Sequence, residues 1–440
     1  MKCMQMKIAV AILAVLAGAT VTMADVVSVP TIQNVVMSQD SGRKVTVTYD
    51  LVNGPAVVTM DVQTNAHDDV WVSIGEENIY GATTRAQPRG DVSRIVSGDS
   101  GTITWRPDLS WPGNAVDNNG ARVVLTAWPV DDTPDYLVVD MNANVAAADR
   151  VRYYASTNAL PGGLFGNPAY RTSHLVFRKI VAKDIEWTMG SICELGRESD
   201  LSEPVHRAML TNNYYLAVFP TTQAQWKMLT STKNPEFKQE GAMRPMESIC
   251  YNTVRCCAVG KTDPGEEWPA PPHEKSWLGL LNARVPGMGF DLPGEGEWEF
   301  ACRAGHGEGY WGTGDPITGE TEDPCVPGRY AQNQATKGNT TNLKCGPEDC
   351  TPIVGSYAPN SWGIYDQCGG VREMCLDWSG GDNTALAGLV NVTPGTKRII
   401  RGGGWTSAAR KTRPAARDDV APTIENAYMG FRIACRAGLK

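Results

Sequence analysis

Between Lys44 and Leu51 the chain alternates small polar and apolar residues, Lys-Val-Thr-Val-Thr-Tyr-Asp-Leu. A period of two sends one set of side chains to one face, which predicts a half-buried strand. Asn53-Gly54 follows as a turn signal, and Ala56 to Val62 repeats the pattern. Further candidates are Val70 to Ile74, Gly101 to Trp105, Ala121 to Trp128 and Tyr136 to Asp140. Short strands between Gly, Asn, Pro and Asp turns predict an all-β unit over residues 25–145, a sandwich of immunoglobulin or fibronectin type III character. Its expected role is that of a spacer or docking module. Residues 146–174 read as a linker, because Leu160-Pro161-Gly162-Gly163 and Gly166-Asn167-Pro168 crowd it with breakers.

The remainder, residues 175–440, shows few long helical patterns. Thr221 to Leu229 predicts one helix, opened by a Thr cap. Gly294 to Ala304 predicts another, with acidic residues in the first turn where the helix dipole favours them. The densest stretch runs from Val354 through Ala358-Pro359-Asn360 to Trp378. It mixes Gly, Pro, Asn, Trp and Tyr with no simple period, so it predicts tight turns pinned by large rings. Sites are often built on such backbone.

A length of 440 residues predicts two or three domains. The net charge of -8 offers no basic stripe and excludes a nucleic-acid partner. Lys2 and Lys7, an apolar run from Ile8 to Ala19 and Thr22-Met23-Ala24 predict a signal peptide over residues 1–24. Its apolar run is short for a bilayer span, and no other segment is apolar enough to cross one. A secreted or periplasmic location follows. Of twelve cysteines, all but Cys3 lie at or beyond Cys193. In an oxidising compartment most are expected to pair, and the odd number leaves one thiol free or bridged to another molecule. Cys345 and Cys350 predict a bridge closing a short acidic turn, and Cys302 and Cys435 predict structural bridges.

Other chemistries find no support. His67 with Asp68 and Asp69 reads as a solvated loop rather than a metal site. His206 reads as a strand residue, and the five histidines form no metalloprotease motif. Neither a nucleophile elbow nor a phosphate-binding loop occurs.

Residues Leu175 to Arg436 resemble the formylglycine-generating enzyme family, the sulfatase-modifying factors. The motifs come in order: Trp187-Thr188-Met189-Gly190, Tyr214-Tyr215 to Gln225-Trp226, Arg244-Pro245-Met246-Glu247, Leu292-Pro293-Gly294-Glu295 to Ala301, the Ala358 to Trp378 stretch, Arg401-Gly402-Gly403-Gly404-Trp405 and Gly430-Phe431-Arg432. The resemblance implies an irregular α+β fold related to C-type lectins. It also implies copper(I)-dependent oxidation of a sulfatase cysteine to formylglycine. That chemistry uses two cysteines after the Arg-Gly-Gly motif, and the matching positions here are Ser407 and Thr412. Copper(I) prefers thiolate sulfur, which a hydroxyl does not replace. The resemblance further implies calcium, at Glu373 and Gly370 and at a second site near Asn333, and a groove at Trp405 and Arg372. Two readings follow. One is a degenerate member that binds an extracellular protein or glycan. The other is a divergent oxidase acting on a sulfatase polypeptide.

Overall fold

The computed structural model describes residues 29–67, 70–75, 79, 89–110, 120–192, 194, 205–231, 235, 241–257, 268–319, 326–330, 350–380, 390, 391 and 393–436. The expected signal peptide, Asp68, Asp69, Asn333 and Cys345 lie outside these residues. Among the described residues no helix is long and apolar enough to cross a membrane.

The N-terminal strands are β1 (Thr31–Gln39), β2 (Val45–Val52), β3 (Ala56–His67), β4 (Val70–Ser73), β5 (Arg89–Gly90), β6 (Arg94–Val96), β7 (Ser100–Trp105) and β8 (Ala121–Pro129). They form one sheet ordered β1-β2-β7-β5 and another ordered β4-β3-β6, with β8 also paired to β3. The alternation in β2 does what its period requires: Val45, Val47, Tyr49 and Leu51 point inward. They meet Ile103 and Trp105 from β7 and Val58, Met60 and Val62 from β3 in one core.

The next strands are β9 (Tyr136–Asp140), β10 (Val151–Tyr154), β11 (His174–Ile180), β12 (Glu186–Met189), β13 (His206–Met209), β14 (Tyr214–Ala217), β15 (Phe290–Asp291), β16 (Arg372–Trp378), β17 (Arg398–Arg401), β18 (Arg417–Val420), β19 (Met429–Gly430) and β20 (Ala434–Cys435). A six-stranded sheet runs β10-β9-β11-β14-β20-β15, and a four-stranded one runs β18-β17-β16-β19. The boundary expected at residue 145 therefore needs correction. Tyr136–Asp140 does not close the N-terminal unit; it pairs antiparallel with β11, Leu137 opposite Phe177. The reason lies in its apolar run. Leu137, Val138 and Val139 are all buried, as in a strand covered on both faces. The expected linker 146–174 likewise holds β10, three short 3-10 turns and the buried side chains of Leu160, Leu164 and Tyr170. The Tyr153 amide donates to the Ser93 carbonyl at 2.7 Å, and Arg152 Nη1 to the Val92 carbonyl at 3.0 Å. These bonds join the N-terminal sheets to the six-stranded sheet.

Four α-helices are described: α1 (Pro107–Ser110), α2 (Gln223–Lys227), α3 (Trp277–Arg284) and α4 (Glu295–Arg303). The sequence patterns anticipate α2 and α4, at shorter length. Thr222 and Gln225 form a reciprocal capping box at the start of α2. Glu297 accepts the Gly294 amide at 2.8 Å at the start of α4, and Ala304 ends it in the left-handed region at φ 48°. Helix α3 lies outside the two expected patterns. Its Trp277 stacks on Trp226 of α2 with centroids 5.7 Å apart and planes 7° apart, both rings fully buried.

That stack ties two short helices that are too brief to be stable alone. Trp277→Ala should therefore cost about 3–5 kcal/mol of unfolding free energy. Urea denaturation followed by circular dichroism measures it, and a change near zero would show that the stack is dispensable.

Candidate functional site

The turn-rich stretch is held by side chains that substitute for regular pairing. Asn360 Oδ1 accepts the amides of Trp362 and Ile364 at 3.0 and 3.1 Å. Its Nδ2 donates to the Ala301 carbonyl of α4 at 2.7 Å. Asp366, at φ 59°, accepts the Gly355 amide at 2.7 Å through Oδ2. Its Oδ1 is buried with no hydrogen-bond partner among the described residues. Burial pushes the Asp366 carboxyl up to about 6.

Beneath the stretch lies a buried ionic lattice that sequence reasoning missed as a unit. Arg432 Nε donates to Glu373 Oε2 at 2.6 Å and Nη2 to Oε1 at 2.7 Å. Trp298 Nε1 also donates to Glu373 Oε2, at 2.6 Å. Beside them Arg401 pairs with Glu299 and with Glu295, and Arg417 grips Glu295 with two bonds at 2.8 and 2.7 Å. Arg303 joins Glu299 to Glu194, and Arg413 completes Glu194 at 2.7 Å. Burial opposes the Glu299 carboxylate, yet Arg303 and Arg401 outweigh it and hold its pKa below the usual range. At Glu194 burial wins over Arg303 and Arg413 and the pKa rises. The signal available in the sequence was the placement of Glu and Arg inside apolar signatures, at Glu299, Glu373, Arg401 and Arg432.

The expected site residues divide across this lattice. Gly370, Arg372 and Trp405 come together: the Trp405 amide donates to the Gly370 carbonyl at 2.9 Å, and Gly404 packs against the Arg372 stem. Gly370 sits at φ 80°, a conformation that Gly and Asn tolerate best, although a Cβ there would meet only Pro352 at 3.6 Å. Arg372 pairs with Asp418 at 2.8 Å and lies over the Tyr428 ring. Trp405 Nε1 donates to the Ala427 carbonyl at 3.1 Å. The cavity bounded by Arg372, Gly402, Gly403 and Lys411 holds about 10 Å³, room for about one water.

Ser407 and Thr412 flank a single 3-10 turn, Ala409–Lys411. Ser407 Oγ accepts the Gly404 amide at 2.9 Å, and Thr412 Oγ1 donates to the Ala409 carbonyl at 2.8 Å. Both side chains are buried. No disulfide joins any two of the described cysteines, so Cys302 and Cys435 form no bridge among them, while Cys345, the expected partner of Cys350, lies outside the described residues. Each has other company. Cys350 Sγ contacts Arg244 Nη1 at 3.2 Å, and Cys435 Sγ donates to the Met288 carbonyl. Cys302 and Cys368 lie 3.6 Å apart, sulfur to sulfur, in an apolar cluster with Trp298 and Trp311.

Residues 182–437 match the family model described as the sulfatase-modifying factor enzyme 1-like domain, more than half of the 440-residue chain. The chain belongs to that family. Among curated relatives it is 33% identical over 159 residues to a formylglycine-generating enzyme of Streptomyces coelicolor, covering 34% of this chain and 47% of that one. It is 28% identical over 256 residues to the serine/threonine-protein kinase pkn1 of Chlamydia pneumoniae, covering 57% of this chain and 36% of that one. The chain thus spans less than half the length of these two relatives. A solved structure, PvdO from Pseudomonas aeruginosa, is 22% identical with a TM-score of 0.45, covering 59% of this chain and 94% of that one.

The metals that a sulfatase-modifying factor resemblance implies can be tested against these residues. Copper(I) would meet two hydroxyls, each closed on its own backbone turn, and these do not fit it. At Glu373 both carboxylate oxygens are taken by Arg432 and Trp298. A calcium ion would face the guanidinium there, and Gly370 supplies no side-chain oxygen, so this point does not fit calcium either. Among the described residues no three His, Cys, Asp or Glu side chains gather as a metal site would require.

Arg432→Ala would strand the Glu373 charge in the core. Unfolding free energy should fall by about 3–5 kcal/mol, read by denaturant titration. A second measurement concerns pH. Because the folded Asp366 pKa of about 6 exceeds the usual 3.8, its contribution is fully present below 3.8 and lost as pH rises through 6. Asp377, pushed up to about 7 by burial and then by Glu295, acts in the same direction. Asp366→Asn keeps the acceptor for Gly355 and removes the charge. Its melting temperature relative to wild type should rise between pH 4 and pH 8; a constant gap would refute the titration.

Proposed function

We propose that this sulfatase-modifying factor is an exported, non-oxidising member that acts as a binding module for an extracellular protein or glycan. The observation that carries the reading is the Ser407 and Thr412 pair, two buried hydroxyls satisfied by local backbone where the family's chemistry calls for two thiolates. The adjacent thiols of Cys302 and Cys368 offer no substitute. They are 1% and 3% exposed, so a substrate cysteine has no path to them. The relatives named a kinase and a formylglycine-generating enzyme show that kinship does not select one activity. In this reading the N-terminal sheets are an immunoglobulin- or fibronectin-like sandwich that presents the binding face. The loop-rich unit keeps the lectin-related scaffold, held by its ionic lattice in place of calcium.

A peptide carrying the sulfatase Cys-x-Pro-x-Arg motif, incubated with the full chain, copper(I) and oxygen, should keep its thiol. Mass spectrometry of the peptide measures this. Conversion of the thiol to an aldehyde above the protein-free control would overturn the reading and restore the oxidase.

A further inference from the structure

Where the N-terminal sheets meet the turns after β10, they leave an open cavity of about 790 Å³. This falls within the usual range for small-ligand sites. It is far larger than the space beside Arg372 and Gly403, and no residue lines both. One wall comes from β3 and β4, through Asp61 and Ser73; the other comes from Thr157, Asn158 and Phe165, with Tyr365 of the turn-rich stretch. Both walls are fixed, because β10 is bonded to the loop at Val92 and Ser93, and Tyr365 is held by its carbonyl on Arg432 and its amide on Val218.

The lining has a particular chemistry. Phe165 is 42% exposed and packs edge-on against Tyr365 with centroids 5.3 Å apart. The Arg171 guanidinium lies over the ring, 5.2 Å from its centroid, and the exposed remainder of the ring offers an apolar surface. Around it stand groups that both give and take hydrogen bonds. Asp61 accepts from Ser73 Oγ at 2.6 Å and from Gln63 at 2.9 Å, which leaves lone pairs in hand. The Thr157 hydroxyl and the Asn158 amide make no side-chain hydrogen bond with any described residue, and Asn158 is exposed. Among the described residues neither lysine nor arginine lines the cavity. An anion would meet the Asp61 carboxylate, and the cation beside the lining, Arg171, is already engaged by the Phe165 ring and carbonyl.

The geometry points to a binding site for a neutral oligosaccharide of a few pyranose rings, seated across the junction of the two units. A pyranose offers an apolar C–H face to Phe165 and Tyr365. Its hydroxyls act as donor to Asp61 and as donor and acceptor to Asn158 and Thr157. A peptide would instead pair along the edge of β4 beside Ser73 and Gly75, and the test below separates it from a sugar. The inference rests on the binding reading above and gives it a place and a ligand class.

The test uses the full-length chain and an array of neutral linear oligosaccharides of three pyranose units, with sulfated counterparts and unstructured peptides beside them. Hits are titrated by calorimetry. A neutral oligosaccharide should bind tighter than about 1 mM. Asn158→Ala and Phe165→Ala should each weaken it about tenfold. Asn158 is exposed and Thr157 half-buried in a short turn, so the melting temperatures of Thr157→Ala and Asn158→Ala should stay close to wild type and separate lost contact from lost fold. No binding of neutral sugars, preference for sulfated sugars or peptides, or equal affinity in all three variants would each overturn the site. The cysteine-peptide reaction, run on the same preparation, decides the non-oxidising reading separately. An inert peptide with no sugar bound removes only this inference, and an oxidised peptide removes the earlier one.

Discussion

The Glu373–Arg432 pair is the contact on which the loop-rich unit depends. A charge pair with both side chains fully buried costs desolvation that its mutual attraction alone does not repay. The geometry supplies the remainder. Arg432 spends its other donors on the carbonyls of Ala217 and Tyr365, so one side chain joins β14, β16 and the turn-rich stretch. The same solution recurs nearby. Arg401 caps the carbonyls of Ala415 and Ala416, and Arg398 that of Leu376. Irregular backbone leaves carbonyls that no ladder satisfies, and a buried guanidinium with five donors serves several at once. This is how so few helices and such short strands hold a large core.

Local pattern carried much of the fold. Period-two alternation located β2 and β3, and a Thr cap located α2, because each signal arises within a few residues. The end of the N-terminal unit was not legible for the opposite reason. Tyr136–Asp140 reads as one more short strand, and only its partner, β11, shows which sheet owns it. The Gly- and Pro-rich run before β11 reads as a linker by composition, yet Leu160, Leu164 and Tyr170 anchor it in the core. Helix α3 had a signal, Ser276 before Trp277-Leu278, and Ser276 Oγ does accept the Gly279 amide; flanking Gly and Pro masked it.

The site was legible in its residue types and not in its partners. The sequence shows that hydroxyls stand at 407 and 412, and the structure adds that each is already bonded to its own turn. Glu373 was visible as a surviving carboxylate, but whether it faces a cation or an arginine depends on Arg432, 59 residues away. Strand alternation then explains the split across the lattice: Arg372 and Glu373 are neighbours in β16 and point to opposite sides.

The shared six-stranded sheet has a consequence for handling the molecule. The family match begins at residue 182, after β9, β10 and β11 have ended. A fragment cut to the matched span would bare β14 along the edge that β11 covers, with its apolar Tyr214, Tyr215 and Leu216. An uncovered apolar edge strand invites sticking between copies. Expression boundaries for this protein belong upstream of Tyr136, not at the border that homology draws.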